Sequence, residues 1–400
     1  MAVTTAALDD AWRHPLFEAL FQRRSRRFAR GFAITEGPLR YASAAAPLPL
    51  SELEEALLAA AGAGVSGSPL WDMGRRPALV GPGEGHTFPS TCRGRRTALF
   101  FTNDAGVHVM DPGATMPVTR ERVLDAHRQR RRTLRAGRLA IPREVPPFFG
   151  HNLWDSNMPG ATLFLPVVDV SLSLIALIAG MVDSERGRYV RGHGGGLHVV
   201  DDRHGNRPAG TERWLRSGLI DTTKVLPLSM LERHACYFMF SEPAAMCQNI
   251  FLATEALGLG GWMHCGFLSL SMLGALGFRM IEAGAPAGWP NPVGLDGVFE
   301  GYCPPYFPTM DAAVEGALAR VSRVEPVVEL GDAGLACTKA VCTYIYETYG
   351  RFPATVDTMH LMWLMQAHHL DLEFYDRHFG PGAYGPTHAA HLAAWHQDTG

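Results

Sequence analysis

Apolar and polar positions in this 400-residue chain alternate between helical spacing and short continuous runs. The clearest change of pattern lies in MCQNIFLATEALGLGGWMHCGF, residues 246–267. Ile250, Ala253, Ala256 and Leu257 recur at three- and four-residue spacing with few charges between them, which predicts a helix largely out of water. Gly258 supplies its stop, because a residue without Cβ takes positive φ at least cost. Gly260 and Gly261 loosen the turn, and Trp262 to Phe267 then read as a short apolar strand. By itself, such a passage is ordinary core packing.

The rest of the pattern predicts mixed structure. Residues 8–22 read as an amphipathic helix with Leu16, Leu20 and Phe21 inward. Leu50–Ala61 reads as a helix with Ser51 as N-cap and Glu54 completing a capping box. Thr97–Thr102 and Val107–Asp111 flank Asn-Asp-Ala-Gly as a hairpin. Thr162–Val182 is apolar for long enough to suggest a membrane span. Asp169 and Pro166 within it argue otherwise, since an ionised carboxylate is costly at bilayer depth. The better parse is a strand, Leu163–Val167, then a helix from Val170 capped by Asp169. Met310–Val321 and the stretches around Tyr344-Ile345-Tyr346 and His360–Phe374 read as helices. The Gly- and Pro-rich stretches 62–85, 187–218 and 291–308 read as irregular.

Composition narrows the class. Hydrophobic content of 47% and net charge of −3 describe a soluble globular protein. Only Lys224 and Lys339 are lysines among 36 basic residues, so arginine runs carry little information here. Arg120–Arg138 holds eight arginines without interleaved aromatics and reads as a solvated helix, not a nucleic-acid surface. Seven scattered cysteines without a C-x-x-C pair argue against disulfides, and an N-terminus without an apolar core argues against a signal peptide, so a cytoplasmic location is expected. His193-Gly194-Gly195-Gly196 is similar to an esterase oxyanion loop, but no G-x-S-x-G elbow accompanies it. The tail is rich in histidine. His368, His369, Asp371 and Glu373 raise the question of a metal, yet no H-x3-H with a carboxylate partner appears, and none is expected.

Three separated blocks stand in order: Phe21-Gln-Arg-Arg-Ser-Arg-Arg-Phe28, the Pro89-Ser90 turn, and Ala256-Leu-Gly-Leu running to Gly266-Phe267. Read alone, the first is equally a phosphate-binding cluster of guanidinium forks or a solvated basic turn. In this order the three resemble the FMN-dependent nitroreductase family, nearest its longer branch with the thiazole- and oxazole-forming peptide dehydrogenases. The resemblance implies an α+β fold with a mixed or antiparallel central sheet flanked by helices. It also implies a homodimer with FMN at the subunit interface. Arg23, Arg24, Ser25 and Arg27 would then hold the flavin phosphate and ribityl chain, and Pro89 and Ser90 would pack on the ring. A backbone amide at Cys265 or Gly266 would face flavin N5. NAD(P)H would act as electron donor from the exposed flavin face.

The chain departs from that pattern in places. Many members carry an acid where this chain has Cys265, which keeps the backbone role but not a side-chain one. With no basic neighbour in sequence, Cys265 reads as a small buried residue and not a redox thiol. A further phosphate ligand is represented only by Arg279, and one set of motifs is present, not a tandem pair. The expected organisation is a flavin domain over 1–325 with an insertion at about 112–235, and a helical histidine-rich extension over 326–400. The expected activity is two-electron transfer to or from a small organic substrate. A biosynthetic dehydrogenase using oxygen, and a flavin- or ligand-binding protein without turnover, are the alternatives.

Overall fold

Ser51 forms the capping box that the sequence predicts. Its side chain accepts the Glu54 N–H while the Glu54 carboxylate accepts the Ser51 N–H at 2.5 Å. The computed structural model describes residues 5–67, 85–90, 96–111, 117–143, 147–183, 195–282, 290–324, 330–382 and 386–396. Helix α1 (Thr5–Trp12) and α2 (Leu16–Gln22) open it, followed by the capped α3 (Glu52–Ala63). After these come α4 (Val170–Val182), α5 (Leu228–Leu257) and the C-terminal α6 (Pro386–Trp395).

Seven antiparallel strands form the central sheet. They are β1 (Thr97–Thr102), β2 (Gly106–Met110), β3 (Arg131–Ala136), β4 (Thr162–Asp169), β5 (Gly260–His264), β6 (Met359–Leu361) and β7 (Leu364–His368). The order is β5-β7-β4-β1-β2-β3, with β6 also pairing β4. Strand β4 is buried along its whole length, which is why its sequence is a continuous apolar run. Its side chains alternate between two cores, as the two-residue period of a strand requires. Leu163, Leu165 and Val167 pack with Phe267, Met272 and Leu276; Phe164 packs with Leu99, Phe101, Leu58 and Ile250. The second core is roofed by α3 lying along α5, so close that a Cβ on Gly62 would come within 2.7 Å of Ile250. The molecule is α+β.

Several expectations are met. The β1–β2 hairpin pairs Phe100 with Val109 and Thr102 with Val107. Asp169 caps α4, accepting the Leu172 N–H at 3.2 Å. Among the described residues no helix is long and apolar enough to cross a membrane.

Others are corrected. The predicted helix over 8–22 breaks at Pro15, which lacks the N–H to continue α1 and instead precedes α2. Leu16, Phe17 and Phe21 are 61, 71 and 76% exposed and Leu20 is exposed as well, so the face expected inward is open. The helix predicted from Met246 begins at Leu228 and runs through Pro243. The strand expected at Trp262–Phe267 is β5, which ends at His264 where its pairing with β7 stops. Arg120–Arg138 is a helix only over Val123–Arg130, and Arg131–Ala136 is edge strand β3. Residues 197–201, expected to be irregular, pair with 207–208 and 221–227. Residues 68–84, which hold most of one expected loop, and 184–194, which hold the beginning of another and the start of the His-Gly-Gly-Gly motif, lie outside the described residues. Within 291–308, Pro290–Leu295 and Phe299–Glu300 are strands, the first pairing with Arg279–Glu282 on one side and with Phe299–Glu300 on the other.

The helix expected over His360–Phe374 is strands β6 and β7 followed by a helix at Leu372–Phe379. Burial between β5 and β4 overrides the local pattern. Because β6 and β7 come from 326–400 and β3 and β4 from 112–235, the expected domain and insertion limits run through one sheet.

Gly258 ends α5 at φ 73°, and a Cβ there would lie 2.6 Å from the Thr387 carbonyl oxygen at the start of α6. The left-handed conformation alone costs a residue with Cβ about 1–2 kcal/mol. Gly258→Ala should therefore lower the unfolding free energy by at least that much, read as a lower urea midpoint with unchanged slope. An unchanged midpoint would show that α6 is not seated here.

Candidate functional site

The arginine-rich segment after α2 is held by backbone pairing on both sides. The Arg26 N–H donates to the Gly261 carbonyl on β5 at 3.1 Å, and the Arg30 N–H to the His369 carbonyl at 3.0 Å. His368 on β7 reaches the Arg26 carbonyl through Nε2 at 3.0 Å. Two of the three blocks quoted above, the arginine segment and the helix-to-strand passage, are thereby neighbours.

Its arginines have separate environments. The buried Arg26 pairs with Glu255 of α5 at 2.7 Å. Arg27 turns the other way: its Nε donates to Asp155 and its Nη2 to Asn152 Oδ1 at 3.1 Å. The Arg27 guanidinium also lies 4.0 Å over the Trp262 ring. Arg23 stacks 4.6 Å over Phe251. Arg24 donates to the carbonyls of Phe21 and Arg23 in its own exposed turn, and Ser25 is exposed. Among the described residues no carboxylate pairs with Arg23 or Arg24.

Asn152 joins the two blocks. Its amide accepts from Arg27 and donates to the Gly266 carbonyl at 3.3 Å, which also takes the Phe149 N–H at 3.0 Å. The fit around Gly266 is close, since a Cβ would lie 2.6 Å from Asn152 Nδ2. Cys265 is exposed, which corrects the expectation of a buried residue. Among the described residues, no acceptor meets the backbone N–H of Cys265 or of Gly266.

Four residues here escaped the sequence reading: Asn152, Asp155, Trp262 and His264. His264 stacks on Trp262 with ring centroids 4.0 Å apart. Burial, with Arg27 and His151 adding, pushes its pKa down to about 3, so its imidazole is neutral. Neither of its ring nitrogens, nor Trp262 Nε1, nor Asp155 Oδ1 has a hydrogen-bond partner among the described residues. The only local signal was the polar run His151-Asn-Leu-Trp-Asp155-Ser-Asn between apolar segments.

The remaining sequence candidates lie elsewhere. Ser90 donates to Glu242 of α5 at 2.7 Å. Glu242 and Glu255 are 13 residues apart on that helix, about 20 Å along its axis. Ser90 thus packs about 20 Å along α5 from the Arg26–Glu255 pair, while the Thr87 carbonyl just before the turn accepts from Asn249, two residues from the Phe251 under Arg23. Arg279 is exposed on a strand of the separate three-stranded sheet. The set His368, His369, Asp371 and Glu373 is dispersed, with Asp371 capping the helix at Leu372 and accepting from Tyr41.

No protein-family model matches this chain, and no curated protein matches it. Among solved structures, one described as a "putative nitroreductase" from Ralstonia eutropha JMP134 overlaps 66% of this chain and 76% of its own, at 16% identity and a TM-score of 0.31.

Burial raises the Asp155 carboxyl from 3.8 to about 6 even though Arg27 draws it down. A carboxyl whose folded pKa lies above its unfolded one favours the fold in acid and loses that contribution as pH rises through the folded value. The stability of wild type relative to Asp155→Asn should therefore fall between about pH 4 and pH 6 and level off above, measured by urea unfolding across that range. A difference independent of pH would place the carboxylate in water.

Proposed function

We propose that this chain is an FMN-dependent oxidoreductase of nitroreductase type, moving two electrons as hydride to or from a small organic substrate. The observation that carries the reading is the pair of unaccepted backbone N–H groups at Cys265 and Gly266. They stand past the end of β5, on the strand that Arg26 binds. Bound FMN would supply the hydride chemistry, with NAD(P)H as donor.

The protein's contribution is positioning. The amides at Cys265 and Gly266 are aimed to stabilise negative charge that develops beside them, as preorganised donors do best. Asn152 holds the Gly266 carbonyl, in the peptide unit that follows them, and Arg27 fixes Asn152. Arg27, sequestered by Asp155, is thus a positioning residue and not a phosphate ligand. Arg23, Arg24 and the Ser25 hydroxyl are the groups that would meet the phosphate. Neutral His264 and Trp262 form an apolar wall with unpaired ring nitrogens behind them.

The reading includes a homodimer, in which the Pro89-Ser90 turn of the second chain would complete this site. Two features support it. The α2 face exposes Leu16, Phe17 and Phe21. Separately, α1, α3 and α5 border an apolar cleft of about 410 Å³ lined by Trp12, Leu57, Ala253, Ala256 and Leu257.

Purified protein should carry flavin absorption bands, or gain them on FMN addition. Arg23→Ala/Arg24→Ala should weaken FMN by about 1.5–3 kcal/mol for each charged hydrogen bond lost. Unchanged FMN affinity in that variant would remove the arginine segment from the site. Phe17→Glu/Phe21→Glu should convert a dimeric mass to a monomeric one in light scattering. A monomeric wild type retaining FMN would overturn the shared site.

A further inference from the structure

Sequence spacing argued against metal at the histidine-rich tail, and it did so on the wrong set of residues. The fold gathers a different set from three distant parts of the chain. Glu54 lies in the first turn of α3, His369 directly follows β7, His391 is on α6, and His396 is the residue after α6 ends. One donor atom from each comes within 4.8 Å of the other three. Glu54, His369 and His391 are buried, and the His396 side chain is only 10% exposed.

All three imidazoles present Nε2 to the same oxygen. Glu54 Oε1 stands 2.5 Å from His391, 3.0 Å from His396 and 3.5 Å from His369. The other oxygen, Oε2, is taken by the Ser51 N–H that closes the capping box. A carboxylate oxygen has two lone pairs and cannot accept three N–H bonds. His369 is the one left out: neither of its ring nitrogens makes a hydrogen bond. The neighbouring histidines are not built this way. His368 reaches the Arg26 carbonyl, and His388 accepts the Leu370 N–H at 3.1 Å while its Nδ1 meets the Gly258 carbonyl.

We propose that Glu54, His369, His391 and His396 form a closed site for one Zn²⁺ ion. Three neutral imidazoles and a carboxylate are a borderline donor set suited to zinc. Zinc–nitrogen and zinc–oxygen bonds of about 2.0–2.2 Å set neighbouring tetrahedral donors roughly 3.3–3.6 Å apart. Reaching that arrangement moves these atoms on the order of 1 Å, with the shortest contact widening and the longest closing. The protein fills all four positions in a buried place, which is the arrangement of structural zinc and not of a catalytic site with an open position. The ion would fasten α6 and its following residue to the start of α3 and the end of β7. Because His369 O holds Arg30 and His368 holds Arg26, it would also stiffen the arginine segment.

The test uses the full chain without an affinity tag, stripped with chelator and then given Zn²⁺ or Co²⁺. Elemental analysis after gel filtration should give one zinc per chain. The thermal midpoint should rise on zinc addition, and Co²⁺ should give the visible bands of four-coordinate nitrogen and oxygen ligation. His391→Ala/His396→Ala and, separately, His369→Ala should weaken zinc at least ten-fold, whereas His360→Ala, outside the set, should not. A wild type that retains no zinc above trace overturns the proposal. So does equal retention by the His391/His396 variant, which would assign the ion to other histidines. If the variants do not fold, the wild type still decides: a Co²⁺ spectrum of six-coordinate type, or zinc bound without a rise in thermal midpoint, is incompatible with a buried four-ligand clamp.

Discussion

Helix α5 buries three carboxylates, and the need to pair each of them fixes much of the structure. Glu232, Glu242 and Glu255 are all at most 3% exposed. An unpaired charge there would be expensive, and removing one partner of such a pair typically costs about 3–5 kcal/mol. Glu232 takes Arg203 at 3.0 Å, the Ala354 N–H at 2.7 Å and the Thr355 hydroxyl. Glu242 takes Ser90 and Thr97. Glu255 takes Arg26. These anchors span roughly 35 Å of helix and draw in four remote parts of the chain. Burial raises Glu242 above the usual carboxylate range, with its two hydroxyl donors offsetting part of the effect.

The last of these anchors shapes the candidate site. Once Arg26 is committed inward to Glu255, the chain's alternation turns Arg27 toward Asp155, while Arg24 and Ser25 lie exposed in the turn before it. A run that looks uniform in sequence thus divides into a core ion pair, an arginine tied to Asp155 and Asn152, and exposed donors. The same economy of pairing acts at β5. Its ladder with β7 stops at His264, so the following two amides have no strand partner, while the Gly266 carbonyl is claimed by the 149–152 turn.

Parts of this were legible locally. The two neighbouring blocks were visible because an arginine cluster and a Gly-terminated apolar helix have distinctive compositions. Asn152 and Asp155 were not, since each matters through a contact more than 100 residues away, such as Arg27 to Asp155. The quartet of Glu54 with His369, His391 and His396 was invisible for the same reason. Ligand spacing can be read only when ligands share one helix or loop. The predicted inward face of α2 failed differently: amphipathicity states that a helix has an apolar side, not that its own chain covers it.

Features set by a few adjacent residues are legible without the fold: the Ser51 capping box, the Asp169 cap, the β1–β2 hairpin and the Gly258 stop. Each depends on a hydrogen bond or a backbone conformation within a turn or two, so local chemistry suffices. Long-range contacts make 359–361 and 364–368 strands, carry α5 through Pro243, and bring parts of 112–235 and 326–400 into one sheet. For those segments the deciding energy is burial and pairing against residues far away in the chain, which overrides weak local preference. Pro243 costs α5 a backbone hydrogen bond, and the helix persists because its residues on both sides of the proline, Leu231 and Ile250 among them, are packed in core.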